Sequence, residues 1–99
     1  MRGLEAVSDQ EQQREIHYAG RVQGVGFRYT VRSLAARCDV TGFVRNLPDG
    51  RVHLVVEGGA GEIEDFLQAI KAEMNTYIGD VQETTRPATG RFPAFEIRH

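Results

Sequence analysis

The sequence predicts a two-layer α/β sandwich of the α+β class, with two helices on one face of an antiparallel sheet. Three observations predict it. Period-two alternation runs through residues 15–22 and 95–99, residues 41–46 and 51–57 read as strands on either side of a turn, and 80–86 reads weakly as another. Residues 27–38 and 63–74 repeat their apolar side chains at helical spacing. The segments follow one another as strand, helix, strand, strand, helix, strand, with a short terminal strand. Each helix has one stripe to bury, and a sheet offers the matching face. That is the split βαβ, or ferredoxin-like, arrangement βαββαβ.

Each element has its own warrant. Residues 1–13 are polar, centred on Ser8-Asp9-Gln10-Glu11-Gln12-Gln13, and read as a flexible tail before one domain spanning 14–99. In the first strand Ile16, Tyr18, Gly20 and Val22 share one face; Glu15, His17, Ala19 and Arg21 share the other. In the first helix Phe27, Val31, Leu34, Ala35 and Cys38 form the stripe, and Arg28, Arg32 and Arg37 fall off it. Strands 41–46 and 51–57 flank Pro48-Asp49-Gly50, a strong turn signal, so they pair as a hairpin. Gly58-Gly59-Ala60-Gly61 breaks that pattern, and Ile63, Phe66, Leu67, Ile70 and Met74 form the second stripe. Phe27, Phe66 and Phe95 are expected in the core.

Composition narrows the function classes. A formal net charge of -2 argues against a chain built mainly to bind nucleic acid. The single cysteine, Cys38, excludes an internal disulfide and a thiolate cluster, and fits a reducing cytoplasm. No apolar run is long enough for a membrane span, and no signal peptide is visible. His17, His53 and His99 show no spacing suited to a metal, so no metal ligands and no cofactor are assigned; His17 and His53 are expected on the exposed sheet face. Nothing asks for an obligate dimer, so a monomer is expected.

The chemistry is concentrated in Gly20-Arg21-Val22-Gln23-Gly24-Val25-Gly26-Phe27-Arg28. Glycines between a strand and a helix let the backbone turn tightly and approach a ligand. The free N–H groups at the helix start favour an anion, most naturally phosphate. Arg28 stands at that start and brings a planar, permanently charged fork that matches phosphate oxygens. Taken alone, the glycines would serve any tight turn equally well. A solvated arginine there would be odd, because a cation opposes the dipole unless an anion is bound.

This stretch resembles the first motif of the acylphosphatase family, G-x-V-Q-G-V-x-F-R. Gly42-Phe43-Val44-Arg45-Asn46, followed by Gly50, Val52 and Gly58, is similar to the second motif. The resemblance runs from about Arg14 to His99; Tyr18 departs from the aliphatic residue many members carry, and 74–92 bears no signature. It implies hydrolysis of an acyl phosphate to a carboxylate and inorganic phosphate without a metal. It further implies that Arg28 binds the phosphoryl group, that Asn46 orients the attacking water, and that the amides of Gln23, Gly24, Val25, Gly26, Phe27 and Arg28 form the phosphate-binding loop. The implied partners are a small-molecule acyl phosphate and inorganic phosphate, with no nucleic acid and no membrane. Acylphosphatase-like units also occur inside larger carbamoyl-transfer proteins; this chain is expected to stand alone. Two other functions share the topology: a non-catalytic phosphate or anion-binding module, and an RNA-binding module that stacks bases on aromatic residues.

Overall fold

The computed structural model describes residues 11–99. Its elements are β1 (Glu11–Gly20), α1 (Phe27–Ala35), β2 (Val40–Asn46), β3 (Val52–Gly59), α2 (Ala60–Met74), β4 (Ile78–Pro87) and β5 (Phe95–Arg98). The strands form one five-stranded sheet in the order β4-β1-β3-β2-β5. Both helices pack on the same face. Phe27, Val31, Leu34 and Ala35 of α1, and Ile63, Phe66, Ile70 and Met74 of α2, bury against Ile16, Tyr18, Val44, Val52, Leu54 and Val56 of the sheet. Burying a large aliphatic or aromatic side chain is worth about 1.5–3 kcal/mol, so each stripe holds its helix down by several kcal/mol. Phe95 is partly buried and meets Phe66 edge-on, with ring centres 5.6 Å apart.

The sheet is mixed, which corrects the expectation of an antiparallel one. β1 runs antiparallel to β3 and β4, and β2 antiparallel to β3, but β5 runs parallel to β2. The direction follows from the path of the chain. β4 ends on one edge, residues 88–94 cross the end of the sheet, and β5 starts back up the other edge. There β2 already points the same way.

Strand β1 begins at Glu11, inside the stretch expected to be a tail; Met1–Gln10 lie outside the described residues. Polarity misled here because Gln13 is buried and bonded. Its amide donates to Glu57 on β3 at 2.7 Å, and its oxygen accepts from Arg86 on β4 at 3.1 Å. Strand β1 also ends two residues early, leaving Val22 fully buried in the bend that follows. Helix α1 stops at Ala35, and Cys38 sits in the next turn, partly buried against the core. Glycine is required at Gly42, where a Cβ would come within 1.9 Å of the Val55 carbonyl oxygen.

Candidate active site

Gly24 and Gly26 hold positive φ angles of 79° and 78°, so the backbone between β1 and α1 takes a path that other residues enter only under strain. Gly26 is the residue before the first helical turn, and it has no side chain to cap that turn. The first intrahelical bond runs from Thr30 N–H to the Gly26 carbonyl at 3.0 Å. The N–H groups of Phe27, Arg28 and Tyr29 therefore have no acceptor within the helix. The two helices differ here. α2 carries Glu62 in its first turn, as the dipole favours; α1 carries no acid there and places Arg28 instead.

A cavity of about 170 Å³ at this helix start is lined by Val22, Gly24, Gly26, Phe27, Arg28, Tyr29 and Asn46. Asn46 ends β2 and comes from the far side of the core in sequence, yet it shares the cavity with the glycine loop. Its Oδ1 is shielded from solvent and has no hydrogen-bond partner among the described residues. A buried acceptor left unpaired costs about 1–3 kcal/mol, so such a group is rare unless a ligand or water completes it. Arg28 forms no ion pair among the described residues; its Nη1 lies 3.4 Å from the Arg98 carbonyl oxygen and 3.2 Å from His99 Nδ1.

The structure thus brings Gly24, Gly26, Phe27, Arg28 and Asn46 together. The side chains of two other loop residues point elsewhere, which leaves only their backbone amides to the loop. Val25 packs against the core, and the Gln23 side chain bonds to the Leu47 and Arg51 carbonyls of the β2–β3 hairpin. A larger cleft of about 260 Å³ lies between α2 and the β1–β4 edge, lined in part by Ile16, Tyr18, Leu67 and Val81. It shares no residue with the glycine loop.

The opposite face of the sheet corrects the reading of the histidines. His53 is buried at 6% exposure, and His17 is half-buried, stacked on it with ring centres 4.6 Å apart. Glu15, His17 and His53 place possible ligand atoms within 4.8 Å of one another, a convergence that linear spacing could not show. The hydrogen bonds around His53 close the arrangement on itself. Arg45 Nε–H donates to His53 Nδ1 at 3.0 Å, which leaves the proton on Nε2, 2.7 Å from Glu15. A metal on Nε2 would require Nδ1 to donate, and here Nδ1 accepts from Arg45. Arg86 also donates to Glu15 at 3.0 Å, so two guanidinium groups already crowd the cluster. Burial, with help from His17 and Arg45, holds the His53 pKa below its ordinary value, and the His53 hydrogen bond holds Glu15 low. Glu57 is 2% exposed and accepts from Gln13, from the Thr89 N–H and hydroxyl, and from the Gly90 N–H. Burial alone would raise its pKa, but these donors outweigh burial and lower it. One signal in the sequence could have found the pairing. Counting back from the Pro48-Asp49-Gly50 turn sets Arg45 opposite His53.

The chain as a whole is similar to known proteins. The acylphosphatase family model matches residues 14–97. An acylphosphatase from Rubrobacter xylanophilus is 38% identical over 97 residues, covering 97% of this chain and 87% of its own. The crystal structure of acylphosphatase from Bacillus subtilis superposes with a TM-score of 0.80 at 32% identity, covering 89% of this chain and 99% of that one. T. kodakarensis HypF is similar through a segment of 12% of its length, with a TM-score of 0.76 at 30% identity over 89% of this chain.

Proposed function

The chain belongs to the acylphosphatase family, and from that premise we propose that it hydrolyses acyl phosphates at the cavity shared by the glycine loop and Asn46. The observation that carries the reading is the pairing of an uncapped helix start bearing Arg28 with the unpartnered Asn46 Oδ1 in one cavity.

The chemistry needs little more. A carboxylate is a good leaving group and requires no general acid. What remains is to hold the phosphoryl group, balance charge on its equatorial oxygens and place a water in line. Gly24, Gly26 and the first turn of α1 offer backbone N–H groups, and Arg28 offers a two-pronged charged donor. Each hydrogen bond to a charged group is worth about 1.5–3 kcal/mol, so a two-pronged Arg28 contact contributes several kcal/mol. The Asn46 carbonyl oxygen accepts a proton of the attacking water, and its NH2 donates. No step calls on a metal or a cofactor. We read the protein as a monomer of the cytoplasm acting on a small molecule. The absence of a basic surplus supports that reading over RNA binding.

The test is release of inorganic phosphate from benzoyl phosphate with EDTA present. Turnover that survives EDTA is expected. A folded protein that binds phosphate without turnover would replace this reading with the anion-binding one.

A further inference from the structure

We propose that Gln23 is a positioning residue: its carboxamide fixes Asn46 against the glycine loop, and so governs turnover rather than phosphate affinity. The inference rests on the reading of the cavity above.

Gln23 Nε2 donates to the Leu47 carbonyl at 2.8 Å and to the Arg51 carbonyl at 3.0 Å. Both of its N–H groups are therefore spent on the mouth of the hairpin turn. Each of those carbonyls also accepts a backbone bond, from Gly50 N–H to Leu47 at 3.1 Å and from Leu47 N–H to Arg51 at 2.8 Å. The amide thus completes both carbonyls at once, which a hydrocarbon of similar size cannot do. Leu47 directly follows Asn46, and Asn46 opposite Val52 is the last pair of the β2–β3 ladder. Beyond that pair the backbone is held by the two turn bonds just named. Among the described residues, no other hydrogen bond joins residues 21–26 to this hairpin; Arg21 N–H is spent on the Tyr77 carbonyl at 2.9 Å.

The two halves of the cavity are consequently held by different means. The loop N–H groups and Arg28 are built into the start of α1, whose stripe anchors it in the core. Asn46 sits at the end of the β2–β3 ladder, and among the described residues the Gln23 side chain is the one hydrogen-bonded link from residues 21–26 to that end. Cutting that link leaves the anion cradle in place and lets Asn46 drift. A misplacement of about 1 Å can cost about 10²-fold in rate.

The experiment compares wild type, Gln23→Leu and Gln23→Glu with benzoyl phosphate as substrate and inorganic phosphate as inhibitor. In Gln23→Leu, kcat is expected to fall roughly 10- to 100-fold, while the inhibition constant of inorganic phosphate stays within about twofold. Gln23→Glu keeps the length but loses both donors when ionised. Its kcat should fall equally at neutral pH, then recover relative to wild type in acid, where a protonated carboxyl again donates one bond. A folded Gln23→Leu with near-native kcat overturns the proposal, and so does an inhibition constant that rises in step with the loss of kcat. If Gln23→Leu fails to fold, the Gln23→Glu profile decides, and a flat ratio to wild type overturns it. If wild type itself lacks turnover, the reading of the cavity fails instead. The inference is then judged by NMR. A displaced Asn46 side-chain amide in Gln23→Leu, with the phosphate-induced shifts of Gly24 to Arg28 retained, supports it; an unmoved Asn46 overturns it.

Discussion

Arg45 and Asn46 are neighbours on β2 and point to opposite faces of the sheet, and the two faces treat their polar groups differently. On the open face Arg45 is bonded to His53, His53 to Glu15, Glu15 to Arg86, Arg86 to Gln13 and Gln13 to Glu57. Glu57 then closes the chain on the amides of Thr89 and Gly90. One residue along, on the helix side, Asn46 Oδ1 has no partner among the described residues, and the first turn of α1 has neither a side-chain cap nor an acid. A network whose members satisfy one another is finished and gains little from a ligand. A cavity that holds an unpartnered Asn46 acceptor beside an uncapped helix start is prepared for one. On the function proposed above, the more crowded cluster of titratable groups is the structural one, and the sparse cavity is the chemical one.

Four substitutions or conditions would break or sharpen that contrast. The largest effect is expected for Arg28→Gln, which should remove measurable phosphate binding and turnover together while leaving the circular dichroism melt near wild type. Asn46→Ala comes next. Loss of one positioning amide is comparable to loss of an oxyanion donor, so kcat should drop roughly 10²–10³-fold with phosphate affinity kept. A near-native kcat in Asn46→Ala would remove the water-orienting role.

On the open face the readout changes from rate to stability. Glu57→Gln replaces an acceptor of four bonds by a group that must turn an N–H toward other donors. It should cost about 2 kcal/mol, lowering the melting temperature by roughly 8–16 °C, with kcat unchanged below the transition. A matching loss of kcat would tie this network to the chemistry and erase the contrast.

The smallest effect is a pH dependence. Burial holds the His53 pKa in the folded protein below the ordinary value of 6.5 at which the unfolded chain takes up its proton. The stability from neutral His53 is therefore full above that value and lost as pH falls through it. The slope from this one site is at most about 1.4 kcal/mol per pH unit. Glu15 and Glu57, both held low, add losses in the same direction at more acid pH. Urea midpoints of wild type and His53→Gln, compared as pH is lowered from neutral, should converge; parallel lines would mean that His53 does not titrate differently on folding.

How much of this was legible in the chain depends on the range of the interaction. The glycine loop, Arg28 and the stripes of both helices are local patterns, and period and turn chemistry reveal them directly. Asn46 is different. Its partnership with the loop is a tertiary fact, reached through resemblance rather than through spacing. Gln13 was misread because a glutamine in a polar run looks solvated until Glu57 and Arg86 arrive from distant strands. His53 was misread because alternation assigns a face but does not say how crowded that face is. The parallel β5 was hidden for the same reason, since strand pattern does not disclose the path taken by 88–94.

The most direct test of the contrast is a titration of the labelled protein with inorganic phosphate, followed by amide NMR. Saturable shifts should appear at Gly24, Gly26, Phe27, Arg28, Tyr29 and the Asn46 side chain. Thr89, Gly90 and the residues around His53 should stay still, and the response should vanish in Arg28→Gln. Shifts centred on the open face, or a cavity response that survives Arg28→Gln, would contradict the account.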